Sequence, residues 1–227
     1  MNIDELYDPE FRKLIKSKKT TVIIPIGSIE QHGAHLPIST DSDIVTEIAS
    51  RLAKNCGFIV LPTISYGVSV EHEPLFNLSL TDLGLVRLLD HIVYSLEKNH
   101  IKKIIILNGH HGNLKAIEKV SGIRKDISKL SYWHFMKHKF DHAGFVETSI
   151  MLAISDKVKM KKAKKGLITH SMNEDELRRI NKLSIKPGGF AKIAKNGVWG
   201  DPTGATKKDG QKFLAEIVRN LAKECQS

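Results

Sequence analysis

Two short segments concentrate side chains able to hold a metal ion. The first reads Gly27-Ser28-Ile29-Glu30-Gln31-His32-Gly33-Ala34-His35-Leu36-Pro37 and runs on to Thr40-Asp41. Glu30 and His32 are two positions apart, so in an extended segment both side chains reach one point. Asp41 opens the next helical stretch and can turn back to that point. The second segment is Asn108-Gly109-His110-His111-Gly112-Asn113. Its glycines permit a tight turn, and His110 emerges where a strand ends. Together Glu30, His32, Asp41 and His110 supply two carboxylates and two imidazoles, a donor set suited to Fe²⁺, Zn²⁺ or Mn²⁺. Asp41 is the candidate bridge if two ions rather than one are held, because one carboxylate can serve both. A single strand-end histidine is more often a structural hydrogen-bonder. Two His- and Gly-rich strand ends in one chain of this size carry more weight.

Other residues compete or assist. His35 reads as a residue orienting a ligand, and His111 points away from His110 if the chain stays extended there. The stretch Asp141-His142-Ala143-Gly144-Phe145-Val146-Glu147-Thr148-Ser149 opens a helix. An imidazole near its ordinary pKa suits proton donation to a leaving amine, which makes His142 a catalytic candidate. Glu147 is the second, as a carboxylate that completes the metal shell or, equally, caps the helix. The run Glu71-His72-Glu73-Pro74 is either a pocket border or an exposed loop. Trp133 and Trp199 read as core or pocket wall.

Strands and helices must position these groups. Thr21 to Ile26 is a β-branched apolar run and reads as a buried strand, followed by a helix over residues 41–55 with Ile44, Ile48 and Leu52 on one face. Residues 58–62 predict a second strand and residues 65–79 a long loop. Thr81 opens a helix to Lys98. Lys103 to Leu107 is the clearest strand. A helix over 114–127, a strand over 131–135 and a helix over 146–155 complete the alternation. After Lys159 the pattern weakens until Thr206, which caps a last helix to Glu224. Strand–helix alternation predicts an α/β fold with a mostly parallel sheet, as a single domain over residues 1–227. Ligands of such sheets bind beyond the carboxyl ends of the strands, which brings the two metal-binding segments to one site.

The bulk composition sets limits. The chain has 227 residues, 41% hydrophobic, enough for one substantial core. No apolar run approaches the ~20 residues of a membrane helix, and the charged N-terminus lacks the centre of a secretory signal. The expectation is a cytoplasmic protein with no membrane partner. Two cysteines in no paired motif leave any metal to His and carboxylates. Net charge is +10, from 35 basic and 25 acidic residues. No aromatic residues interleave with the basic run Lys159–Lys165, so a nucleic-acid platform is not expected. A small phosphorylated substrate would use the surplus more economically.

These residues resemble the creatininase, or creatinine amidohydrolase, family. The matching pieces are Gly27 to Gly33 through Asp41, Asn108-Gly109-His110, and His142-Ala143-Gly144 through Glu147-Thr148-Ser149. Gly200-Asp201-Pro202 with Ala205-Thr206 supports it. The resemblance implies a metal-dependent amide hydrolase with a layered α/β/α fold, usually oligomeric. It implies ligation by Glu30, His32, Asp41 and His110, with Asp41 shared by two ions, and His142 close to substrate. Two departures matter. Where creatininase has a metal-binding Glu two residues past its His110 equivalent, this chain has Gly112, so a second ion needs Glu147 or water in its place. Where creatininase has a Trp-Asp pair, this chain has His138-Lys139, a poor match for creatinine and a partner for an anion. Within the family, the composition is most like an archaeal branch that removes formate from 2-amino-5-formylamino-6-ribosylaminopyrimidin-4(3H)-one 5′-monophosphate, in flavin and deazaflavin (F420) biosynthesis. The alternatives are a creatinine-type ring opener, a peptidase trimming a modified peptide, a metal-binding protein without catalysis, and a basic nucleic-acid-binding module.

Overall fold

The computed structural model describes residues 1–17, 20–121 and 126–226. A four-stranded parallel sheet forms its centre, made of β1 (Thr21–Ile26), β2 (Ile59–Val60), β3 (Lys103–Asn108) and β4 (Ile127–Ser131) in the spatial order β2-β1-β3-β4. The helices are α1 (Asp8–Ser17), α2 (Thr40–Cys56), α3 (Asp82–Lys98), α4 (Leu114–Lys119), α5 (Phe145–Ile154), α6 (Glu174–Ser184), α7 (Gly189–Ile193) and α8 (Lys207–Gln226).

Strand pleating sorts side chains to two faces. Ile23, Ile105 and Leu107 pack with Ile44, Ile48 and Leu52 of α2, Val146 and Ile150 of α5, and Leu214, Ile217 and Leu221 of α8. Val22, Ile24, Ile104 and Ile106 pack on the other side with Leu85, Leu89 and Val93 of α3, Ile117 of α4, and Phe11 and Leu14 of α1. The result is the three-layer α/β/α arrangement. Because β1 and β3 carry apolar residues toward both layers, their sequences read as continuous hydrophobic runs.

The chain runs from β1 to β2 on one side and then returns to β3 on the other side of β1. This reversal opens a crevice beyond the carboxyl ends of β1 and β3. Ile26 and Asn108 are register partners, and the Gly109 N–H donates to the Ile26 carbonyl at 2.8 Å. The residues that follow each strand therefore start level with one another.

Local signals explain several ends. Gly57 closes α2 at φ +71°, a left-handed position that suits glycine. Thr81 Oγ1 accepts from Gly84 N at 3.0 Å, and Thr206 Oγ1 accepts from Asp209 N at 3.1 Å, capping α3 and α8.

Three expectations need correction. The helix predicted to reach Ile127 ends at Lys119, with part of the remainder outside the described residues. The strand predicted over 131–135 lies at Ile127–Ser131 instead, and Tyr132–Phe135 forms a 3-10 turn. β4 is an edge strand whose Ser128 and Lys129 are half-buried, so its run is polar. Tyr132 and Trp133 gave the strand-like aromatic character, but they plug into the core beside α5 and α8. The predicted second strand pairs only over Ile59–Val60, and Pro62, which cannot donate to a ladder, stands just beyond. Among the described residues, no helix is long and apolar enough to cross a membrane.

Candidate metal centre

Three loops at the carboxyl edge of the sheet converge, and one side chain sews them together. Asn113 is fully buried. Its Nδ2 donates to the Gly27 carbonyl after β1 at 3.0 Å and to Asn108 Oδ1 at 3.3 Å, while its Oδ1 accepts from Val68 N at 2.8 Å. Two glycines let α2 approach this knot. A Cβ on Gly27 would lie 2.6 Å from Ser42 N, and one on Gly109 would lie 2.9 Å from the Asp41 carbonyl.

The approach puts Asp41, in the first turn of α2, between the two metal-binding segments. His32 Nε2 lies 3.0 Å from Asp41 Oδ1, and His110 Nδ1 lies 3.1 Å from Asp41 Oδ2. His110 Nε2 is 3.3 Å from Glu30 Oε2. Glu30, Asp41 and His110 each offer one donor atom within 4.8 Å of the others. All four sequence-predicted ligands, Glu30, His32, Asp41 and His110, are buried in one cluster.

The helix start that carries the two catalytic candidates is held by reciprocal carboxylates. Asp141 Oδ2 accepts from Val146 N at 3.0 Å, and Glu147 Oε2 accepts from Ala143 N at 2.7 Å. Ala143 sits at φ +51°, uncommon for a residue with a Cβ, and the two carboxylates hold it there. Glu147 Oε2 thereby comes within 3.7 Å of His32 Nε2, and the Tyr132 hydroxyl donates to Glu147 Oε1 at 3.4 Å. His142 Nδ1 faces Glu30 Oε1 at 3.9 Å. His32, His142 and Glu147 form a second group of donors, and Glu30, His72 and His142 a third.

Gln31 fixes the tautomer of His72. Its Oε1 accepts from Gly33 N at 3.0 Å, which assigns its Nε2 as the donor. That nitrogen lies 2.9 Å from His72 Nδ1, so the His72 proton sits on Nε2, facing Glu30. His142 Nε2 stands between two groups of Gln31, 3.1 Å from the donor Nε2 and 3.2 Å from the accepting backbone carbonyl. His72 Nε2 is 3.0 Å from Glu30 Oε1.

Do these groups fit a metal? Two ligand atoms ~2.1 Å from one ion, at an angle of roughly 90–110°, stand about 3.0–3.4 Å apart. The His32 and His110 nitrogens facing Asp41, at 3.0 and 3.1 Å, fall in that range. Yet among the described residues two of the buried carboxylate oxygens, Glu30 Oε1 and Asp41 Oδ2, have no hydrogen-bond partner. Their nearest nitrogens are close but misaligned for hydrogen bonding, as lone pairs directed at a common third atom would be. The donor set fits a divalent cation.

The electrostatics agree. Burial lowers the pKa of His32, but the Asp41 carboxylate outweighs it and raises the imidazole to about 10. His110 is likewise buried, yet Glu30 and Asp41 hold it well above its ordinary value. Without an ion, these imidazolium charges neutralise the carboxylates. Burial, then the charge on His32, pushes His142 well below the usual histidine range. Burial also pushes the Glu147 carboxyl upward. His35 lies outside the cluster, bonded to Thr148 Oγ1 at 2.9 Å; burial first, then His32, lowers it to about 4.

A cavity of about 480 Å³ opens over the cluster. Its floor is Asp41, Glu71, His72, His110, His142 and Glu147; Phe140, Trp199, Phe190, Asn181, Ser184 and Ile185 form walls and roof. Trp199 is pocket wall, and Trp133 is buried with His111 stacked on it at 6.1 Å. His138 and Lys139 do not line the cavity; both are exposed, and His138 packs on Phe145 and Phe213. An anion contact at Lys139 is therefore not built here.

The sequence reading left Glu71 and His72 undecided between pocket and loop. Both are buried in the floor. The spacing of Glu71-His72 resembles Glu30-Gln31-His32 only loosely, and what places the pair is tertiary: the Gly188 N–H binds the Val70 carbonyl at 3.0 Å, and Phe190 stacks on His72 at 4.5 Å. The roof helix α6 went unread, although Asn173 and Glu176 form a capping box legible as Asn-x-x-Glu.

Comparison with known proteins places this geometry. The family model described as creatinine amidohydrolase matches residues 4–225. The chain is 32% identical over 212 residues to the mycofactocin precursor peptide peptidase of Mycolicibacterium smegmatis, covering 88% of this chain and 82% of that one. It is 31% identical over 216 residues to the 2-amino-5-formylamino-6-ribosylaminopyrimidin-4(3H)-one 5′-monophosphate deformylase of Methanocaldococcus infernus, covering 89% of each. Solved creatininase structures share the fold. A manganese form superposes with a TM-score of 0.82 at 22% identity over 98% of this chain and 96% of that one, and a mutant of Zn–Zn type with a TM-score of 0.81.

Proposed function

The chain belongs to the creatininase family of amidohydrolases, and from that premise we propose that it is a metal-dependent peptidase acting on a peptide-like amide that carries an apolar or aromatic group. The cavity lining carries this reading. Phe140, Phe190, Trp199 and Ile185 face the space above the metal cluster, and among the described residues lining it there is no Lys or Arg. Such walls suit an uncharged or apolar substituent and offer no clamp for a phosphate. The similarity to mycofactocin precursor peptide peptidases points the same way.

Glu30, Asp41 and His110 would hold one divalent ion, and His32, Glu147 and the same Asp41 a second. Zn²⁺, Fe²⁺ and Mn²⁺ all suit these donors. A divalent ion supplies a Lewis acid for the amide oxygen and makes bound water acidic near neutral pH. The remaining work falls to the protein. His142 lines the cavity 3.9 Å from Glu30 and is the candidate to relay a proton to the departing amine. His72, protonated on Nε2, supports Glu30 from behind. Glu147, the second catalytic candidate, is held beside His32 by the Ala143 N–H and the Tyr132 hydroxyl. Phe190 and Trp199 exclude water from the roof side.

A second reading is the formylaminopyrimidine phosphate deformylase. It is favoured by 31% identity across 89% of the archaeal deformylase and by the net charge of +10. It requires a phosphate anchored beyond the cavity wall. One experiment separates the two. Enzyme stripped with chelator and reloaded with Zn²⁺, Mn²⁺ or Fe²⁺ is assayed by mass spectrometry on a dipeptide and tripeptide panel with aromatic or branched side chains, on the formylaminopyrimidine phosphate, and on creatinine. Peptide cleavage with a side-chain preference is the expected result. Formate release without peptide cleavage would replace the peptidase reading with the deformylase. Inertness on every substrate would remove both.

We also propose that the chain self-associates and has no nucleic-acid partner. Exposed Tyr66, Phe76, Leu78 and Leu83 support an interface between copies. Light scattering checks the mass, and salt-dependent DNA retention the second point.

A further inference from the structure

The metal-binding segment after β3 has a gap in it, and a side chain from elsewhere fills the gap. Gly112 has no Cβ. One built there would lie 2.5 Å from Glu71 Oε1, 2.5 Å from His110 Nε2 and 2.1 Å from the Val68 carbonyl oxygen. The space a side chain at 112 would need is thus already taken by the Glu71 carboxylate. Glu71 belongs to the 3-10 turn Val70–His72, more than thirty residues earlier, and is 8% exposed.

What does the carboxylate do there? Glu71 Oε1 stands 3.4 Å from His110 Nε2. The same nitrogen donates to the Val68 carbonyl at 2.8 Å and lies 3.3 Å from Glu30 Oε2, which leaves Nδ1 as the atom facing Asp41. Glu71 and Val68, both from the loop after β2, therefore grip the back of the His110 ring. A carboxylate behind a metal-binding imidazole fixes its tautomer and raises its basicity. Burying a carboxylate is costly without a partner of this kind, so its place needs a reason. Glu71 also lines the cavity, so its charge faces the reacting amide.

We infer that Glu71 is the positioning carboxylate of His110, delivered across the pocket from the loop after β2, and that residue 112 is glycine to admit it. The sequence offers Glu147 or water for the second ion in place of a carboxylate at 112; Glu147 lies beside His32, in that second donor group, and the space at 112 itself is taken by Glu71. The inference rests on the metal-centre reading above, and its test separates the two. Zn²⁺ affinity is measured by chelator competition on wild type, Glu71→Gln, Glu71→Ala and His110→Ala, with metal content by mass spectrometry, the Co²⁺ absorption spectrum and metal-free Tm as parallel readouts. Glu71→Gln keeps the size and removes the charge. It is expected to weaken Zn²⁺ binding by about 10- to 100-fold and to shift the Co²⁺ bands, while metal-free Tm stays within a few degrees. Wild-type affinity and spectrum in Glu71→Gln would overturn the inference and leave the metal centre standing. A fall in metal-free Tm with unchanged Zn²⁺ affinity would reduce Glu71 to a packing residue and overturn it too. Absence of Zn²⁺ binding in the wild type would overturn both.

Discussion

The floor and the roof of the cavity are built on opposite terms. The floor residues Glu30, Asp41 and His110 hang from β1, α2 and β3, whose side chains form the two cores, and all three are buried. The roof is α6 and α7. None of the side chains of α6 is buried, and Ile185 at its end is 61% exposed. The roof is tied down chiefly through Phe190, whose ring packs on His72 at 4.5 Å and on His142 at 4.7 Å. Glu30, Asp41 and His110 are held by strand register and core packing before any ligand arrives, whereas the floor residues Glu71 and His72 and the roof order one another through Gly188 and Phe190. Chemistry therefore belongs to the part that cannot move without unfolding the sheet, and substrate choice to the part that can.

The comparison can be broken first at the shared ligand. Asp41→Ala should bring bound metal and hydrolysis to background, because both proposed ion sites draw on that carboxylate, 3.0 Å from His32 and 3.1 Å from His110; metal content after dialysis decides, and retained metal would break the two-ion picture. His142→Ala should come next, lowering kcat by about 10²- to 10⁴-fold with metal content intact. Loss of metal in this variant would move His142 from proton donor to ligand. A smaller effect belongs to protons. Asp41 and its neighbours raise His32 to about 10 in the metal-free protein. Its folded pKa exceeds its unfolded one, so the stability it contributes is present below about 6.5 and is lost as pH rises through about 10. Metal must displace that proton, so Zn²⁺ affinity should climb about tenfold per pH unit per proton released between pH 6 and 9. Calorimetry in buffers of different ionisation enthalpy counts the protons, and a pH-independent affinity would contradict the assignment. The smallest effect tests the roof. Ile185→Ala should change kcat/KM by roughly fivefold, about 1 kcal/mol of apolar contact, with metal affinity and Tm unchanged. A loss of metal there would erase the division between roof and floor.

The division also explains what was legible in the chain. β1, β3, α2 and α3 read correctly because their apolar periodicities report burial in a core, a property the sequence carries locally. The two metal-binding segments were legible for the same reason, since each directly follows a strand that was legible. Glu71 and His72 were not, because a loop position becomes buried only when a distant segment covers it, here Gly188 and Phe190. β4 was misplaced because an edge strand needs less apolar character than the aromatic turn after it. α6 was missed because its side chains are all exposed or half-buried, so its cap and its thin apolar stripe of Leu177, Ile180 and Leu183 stand in a largely polar run.

Asn113 carries a further implication. Its amide touches none of the metal-binding side chains, yet it spends three hydrogen bonds on the ends of three separate chain segments. Aspartate would lose both donations, and leucine would lose all three bonds. A campaign to retarget the enzyme can therefore randomise α6, none of whose side chains is buried, but position 113, like Phe190, should stay constant in every library. Damage there would surface as scattered, partial metal occupancy and be mistaken for a fault in the ligands.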